Sequence, residues 1–308
     1  LNYIMLFCSN IIKFLNNLKT YQIHNNEFTV QVKSFGAELC SVKSNKTGIE
    51  YIWQANPELW PRHAPNLFPI VGKLKDGTFQ YNTNSYNLPQ HGFARDKEFI
   101  CVEESESKLV FELTANEESL LTYPFHFSLQ IAYTLCNNSL LTEYIIFNPD
   151  NTDLYFSVGA HPAFNCPLQE NECFDDYILQ IPNKNELIIN TLNDGLIKDQ
   201  TKKIELSNNK LPIAVSLFEN DALVLMNKQI EAISLLSTKT NHGVSMDCKG
   251  WPFFGIWTKK QSNKYVCLEP WYGIADSETT NQEFESKNGI IKLTPYNTFT
   301  CSFNLNFF

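Results

Sequence analysis

Apolar and polar residues alternate along most of this chain. Near the C-terminus, Phe299, Cys301, Phe303, Leu305 and Phe307 interleave with Thr300, Ser302, Asn304 and Asn306. Successive strand side chains point to opposite faces, so the pattern predicts a strand with one buried face. Phe28, Val30 and Val32 repeat it. The runs LQIAYTL and LLTEYII predict a hairpin closed at Asn137–Ser139, and FICVEE and KLVFEL predict another around Ser105–Ser107. Asp76–Gly77, Asp194–Gly195 and Asn288–Gly289 are dipeptides that favour the positive φ of tight turns. Beyond residue 20 no long segment has a 3.6-residue period. Many short strands with frequent turns, and no repeat of 20–50 residues, predict an all-β sandwich or barrel.

Two segments depart from this rhythm. In residues 1–18, Ile4, Phe7, Ile11, Leu15 and Leu18 recur at helical spacing, interrupted by Ser9, Asn10 and Lys13. The run is too short and broken for a membrane span and lacks signal-peptide features, so residues 1–19 are expected to be an appendage with a short helix. Residues 183–211 are rich in Asn and Lys and predict a surface hairpin excursion. Residues 20–308 are expected to form a single domain.

Composition narrows the partners. A net charge of −9 argues against nucleic acid and anionic membranes, which require basic patches. Nine cysteines without CxxC spacing predict a reduced, cytoplasmic protein. Among 24 cationic residues only Arg62 and Arg95 are arginine. A guanidinium fork is not interchangeable with an ammonium group, so these two positions stand out.

Four stretches concentrate chemically useful residues: WPRHAPNLFPIVGKLKDG with Arg62, LPQHGFARD with His91 and Arg95, FSVGAHPAFN with His161, and YVCLEPWYG with Glu269. Glu269 follows Val266–Leu268 and precedes Pro270. Desolvation there would raise its pKa toward that of a general base near neutrality; a strand-end glutamate reaching solvent fits the local sequence equally. His161 lies between Ala160 and Pro162, and proline restricts the backbone before it. It reads as a proton shuttle or as a satisfied core histidine. His91 and Arg95 read as loop-borne binding groups or as part of a plain surface ion pair with Asp96 or Glu98. The histidines and cysteines lack zinc-site spacing, and no Walker, GxSxG or GxGxxG element has its required context.

Taken in order, FGAEL, EYIW, RHAPNLFPIVGKL, LPQHGFARD, GAHPAFN and CLEPWYGIAD resemble the aldose 1-epimerase (galactose mutarotase-like) family over nearly the whole chain from residue 20. The HGFAR form resembles the branch near the hexose-6-phosphate mutarotases. The resemblance implies a large antiparallel β-supersandwich with few short helices. It implies mutarotation of an aldohexose, free or phosphorylated, by a monomer or homodimer without metal or organic cofactor. It also implies that Glu269 is the base and His161 the acid, on opposite sides of the anomeric centre. His91, Arg62, Arg95 and Asp221 would bind substrate, with both arginines at the pocket of Glu269 and His161. Trp257 and Trp271 would stack on the sugar or simply pack. Two other readings stay open: a non-catalytic carbohydrate-binding protein, and a hydrolase using Glu269 with Asp221 as paired carboxylates.

Overall fold

The computed structural model describes residues 19–308; the helix expected before residue 19 lies outside them. Two large antiparallel sheets dominate. The back sheet has nine strands, and Thr298–Phe307 lies near its middle between Gly243–Asp247 and Ser139–Phe147. The hairpin Ser128–Cys136/Ser139–Phe147 pairs in continuous register from Ser139↔Cys136 to Phe147↔Ser128. The pair Ile100–Glu104 and Lys108–Thr114 forms the far edge. Phe303, Leu305 and Phe307 are buried, as the alternation predicts.

The second sheet has eight strands and carries the candidate site. Its order runs Leu196–Glu205, Glu186–Asn193, Leu223–Leu225, Phe253–Trp257, Tyr265–Tyr272, Val158–Ala160 and Asn66–Leu67, with Ala163–Asn165 also paired to Tyr265–Tyr272. One cluster of buried side chains unites both sheets, including Leu305 and Ile131 from one and Leu268 and Ile256 from the other. This is the sandwich core. The only α-helix among the described residues, Glu117–Thr122, is one short turn-and-a-half held by an Asn116–Ser119 capping box.

Tyr265–Tyr272 is the exception to simple alternation, and the exception matters. Val266 and Leu268 join the sandwich core. Their neighbours Tyr265, Cys267 and Trp271 point the other way, yet they too are buried, in two smaller clusters. A strand covered on both faces reads as an unbroken apolar run, which is what YVCLEPWY displays. The 183–211 segment does form a hairpin, but it is more than a surface excursion. Ile189↔Leu225 and Asn190↔Val224 join it to the site sheet.

Candidate active site

Strand register brings the principal pair together. Gly159 pairs with Trp271, and Ala163 pairs with Cys267. The spacing is four residues on both paired segments, so His161 falls directly across from Glu269. Cross-strand neighbours on one face are in side-chain contact; His161 Nε2 lies 3.2 Å from Glu269 Oε2. The chain at His161 is fixed from both sides: its N–H donates to the Pro65 carbonyl, and the Leu268 N–H donates to the Pro162 carbonyl. On the opposite flank, the residue paired with Glu269 is Gly255.

Both side chains are nearly inaccessible, with Glu269 1% exposed and His161 7%. They form the floor of a pocket of about 280 Å³ also bordered by His91, Arg95, Asp221 and Trp257. Trp60 stacks on the His161 imidazole, with centroids 5.0 Å apart. Trp257 and His91 meet the same ring edge-on. The aromatic box leaves His161 little rotational freedom.

Electrostatics follow from this dryness. Burial pushes the Glu269 carboxyl well above the ordinary carboxylate range; Asp221 pushes the same way, and the Trp271 indole opposes them. Burial brings His161 down to about 3, its own backbone working against this and the charges of Arg95 and Arg62 adding to it. Because the two groups touch, protonated Glu269 with neutral His161, and ionised Glu269 with protonated His161, are two placements of one shared proton. Burial also holds His91 well below the ordinary imidazole range, with His161, Arg95 and Arg62 contributing. The Gly72 N–H donates to His91 Nδ1 at 3.1 Å. Neutral His91 therefore carries its proton on Nε2.

The two arginines are arranged differently from each other. Arg95 borders the pocket, and its Nη2 donates to the Gln90 carbonyl at 2.6 Å. Arg62 stands behind it and is not among the bordering residues. Its Nη2 meets Asp96 Oδ1 at 2.9 Å, while Arg95 Nε is 3.7 Å from Asp96 Oδ2. One carboxylate thus ties both guanidinium groups together. Burial and the Arg62 charge bring Arg95 down to about 10, against Asp96 and Glu38.

Three buried nitrogens around this pocket have no hydrogen-bond partner in the protein: Arg95 Nε, His161 Nδ1 and Trp271 Nε1. Buried polar atoms are rarely left unpaired, so these unspent nitrogens on pocket residues are available to a polar ligand or to a neighbouring side chain. Asp221, at φ 79°, borders the same space, and its Oδ1 accepts from the Ala222 N–H.

Some wall residues escaped the sequence reading. Trp60 heads the segment in which Arg62 is the residue that stands out. Leu192, Gly195 and Ile197, at the tip of the Glu186–Asn193/Leu196–Glu205 hairpin, also border the pocket. Asp194–Gly195 was legible as a turn but not as a pocket rim. The Cys267 thiol lies with His161 and Glu269, their ligand atoms within 4.8 Å of one another. Of the described residues, these three come together in a way that could hold a metal ion. Burial and Glu269 hold the thiol well above its ordinary range, so it stands at neutral pH as a small apolar group in a buried cluster and not as a thiolate ligand.

The aldose 1-epimerase family model matches residues 19–281. The chain belongs to the aldose 1-epimerase family. It is 34% identical over 296 residues to the chromosomal LacX protein of Lactococcus lactis subsp. lactis, covering 93% of this chain and 98% of that one. Among solved structures, a galactose mutarotase related enzyme from Lactobacillus acidophilus is 34% identical, with a TM-score of 0.90 over 94% of this chain and 97% of that one. A galactose mutarotase-like protein from Lactobacillus casei is 28% identical, with a TM-score of 0.88 over 94% and 100%. Within this aldose 1-epimerase fold, Trp60, His91, Arg95, His161 and Glu269, drawn from the four motif stretches, border one pocket, and Arg62 does not. Among the described residues no helix is long and apolar enough to cross a membrane.

Proposed function

We propose that this protein is an aldose 1-epimerase that interconverts the α and β anomers of an aldohexose. The observation that carries the reading is the Glu269–His161 contact at the pocket floor. Glu269, ionised, takes the proton of the anomeric hydroxyl. His161, protonated, gives its proton to the ring oxygen as the C1–ring-oxygen bond breaks. The open aldehyde turns about C1–C2, and the two groups exchange roles as the ring closes on the other face. The pair is in contact, whereas the sequence reading set acid and base on opposite sides of the anomeric centre. Contact suits the chemistry, because the anomeric and ring oxygens share one carbon. The His91 Nε2–H supplies a neutral donor beside the ring oxygen, and Asp221 accepts from sugar hydroxyls.

The arrangement at Asp96 favours a neutral aldose over a phosphorylated one. Arg62 is paired with Asp96 and does not border the pocket, and Arg95 already spends its Nη2 on the Gln90 carbonyl, so the site lacks the pair of free guanidinium groups that an anionic substituent would call for. Catalysis, as opposed to sugar binding alone, accounts for a buried carboxylate and a buried imidazole in contact; a binder needs neither. NMR saturation transfer between anomers of glucose, galactose and glucose 6-phosphate tests the reading. Exchange above the buffer rate with a free hexose supports it. Sugar binding without accelerated exchange would establish a binding protein instead.

A further inference from the structure

The Trp271 indole occupies a space cleared for it by two glycines. It lies on the central strand of the site sheet, between Val158–Ala160 and Phe253–Trp257. A Cβ at Gly255 would lie 2.4 Å from Trp271 Cη2 and Cζ2, and a Cβ at Gly159 would lie 2.8 Å from Cδ1. Neither distance is possible in a real protein. Glycine inside a strand weakens it and commonly marks a close approach. Here both flanking strands carry glycine, and the same indole ring fills both spaces.

The ring is therefore held flat across the sheet, and its one polar atom has a fixed direction. Trp271 is 6% exposed, and its Nε1 is buried without a hydrogen-bond partner. An indole N–H can only donate, and a buried tryptophan normally finds an acceptor. Trp271 borders the pocket, as does Glu269 two residues earlier on the same strand face. The indole N–H lies near enough to that carboxyl to favour its charged form as a donor, although the contact falls short of standard hydrogen-bond geometry.

We propose that the Trp271 indole N–H is a positioning donor for Glu269: it closes onto the carboxylate when Glu269 ionises and holds it aimed at the anomeric hydroxyl. Proton transfer itself remains with Glu269 and His161. Trp271 acts through Glu269, and the inference rests on the reading of Glu269 as the base.

Two measurements test it, one of them independent of activity. In 15N-tryptophan-labelled protein, the five indole resonances are followed with pH, and Trp271→Phe identifies the one that belongs to Trp271. That resonance should move as Glu269 titrates, and the movement should vanish in Glu269→Gln. A Trp271 resonance that moves identically in Glu269→Gln, or not at all, overturns the proposal even if the enzyme is active. The second measurement is the pH profile of kcat/KM for anomer exchange. Losing a hydrogen bond to a charged group should shift the acid limb of Trp271→Phe upward by roughly one to two pH units. Gly255→Ala, which displaces the ring, should shift it the same way. A fall in rate with the acid limb unmoved assigns Trp271 to packing or stacking and overturns the proposal. If the wild type exchanges no anomers while the indole still follows Glu269, the donor contact stands and the catalytic reading fails.

Discussion

The buried ion pair between Lys287 and Asp276 gives the sharpest stability test. Their side chains are 3% and 4% exposed, and Lys287 Nζ lies 2.7 Å from Asp276 Oδ1. The same Nζ donates to the Ile274 carbonyl at 2.6 Å, and the other Asp276 oxygen accepts from the Lys75 N–H at 3.0 Å. The pair thereby clamps the turn at Ile274–Ala275, which borders the pocket. Ala275 leaves no room for a Cβ at Gly72, whose N–H fixes His91. Lys287→Met removes one partner and strands a buried carboxylate, which costs about 3–5 kcal/mol. For a chain of this length that is a fall in Tm of roughly 5–8 °C. Lys203→Met is the control: its partners Glu186 and Glu205 are half-exposed or more, so its loss should leave stability nearly unchanged. Calorimetry gives the Tm values, and urea unfolding gives the free energies. Adding Asp276→Asn to Lys287→Met neutralises the stranded charge while keeping an acceptor for Lys75, and should recover more than half the loss. If Lys287→Met costs no more than Lys203→Met, or if the second substitution deepens the loss, the clamp does not work as described.

Three further variants extend the test. Glu269→Gln should lower the anomer exchange rate by about 10²–10⁴-fold and leave the fold intact by circular dichroism. The same variant should gain stability over the wild type as pH rises. The folded-state pKa of Glu269 is raised by burial, so the wild type loses stability as pH climbs from the ordinary carboxylate range through the raised value, whereas glutamine stays neutral. A constant Tm difference across pH would refute this assignment. Asn66→Leu should cost several kcal/mol, about 1–3 for each stranded group: Asn66 donates to the Gly36 and Ala37 carbonyls and accepts from the Tyr144 hydroxyl, so urea unfolding should show a clear shift in midpoint. Lys73→Met breaks the contact with Asp194 at the hairpin tip, 2.6 Å long with Asp194 exposed. Its stability cost should be about 1 kcal/mol or less, but KM should rise because the adjacent Gly195 borders the pocket.

What the sequence revealed follows the range of the interactions involved. Alternation at Phe299–Phe307 reflects local geometry, and one face of that strand is indeed buried. His161 and Glu269 stood out because proline and an apolar run flanked them, signals carried by neighbours in the chain. The 183–211 hairpin was legible as a hairpin only. Its polar face is genuinely exposed, and its place in the site sheet depends on Ile189 meeting Leu225, a contact no local pattern announces. Arg62 shows the same limit. Its rarity was visible, but its partner Asp96 lies in a different motif, and that partner alters the electrostatic reading of both arginines. Trp60 looked like an ordinary apolar residue, and only its stacking on His161 gives it a place in the pocket; Cys267 looked the same, and only the fold sets it beside His161 and Glu269.

The matched spacing of His161 and Glu269 makes the pocket sensitive to the parity of chain length. Side chains change faces at every residue, so inserting or deleting one residue between Gly159 and Ala163, or between Cys267 and Trp271, would turn one member of the pair toward the sandwich core. No repacking of neighbours restores the contact; only a compensating change of odd length on the same segment can. The loop at Asn137–Asn138, between two back-sheet strands, carries no such constraint. Length variation among sequences that keep this chemistry should therefore gather at such turns and be absent from those two four-residue intervals.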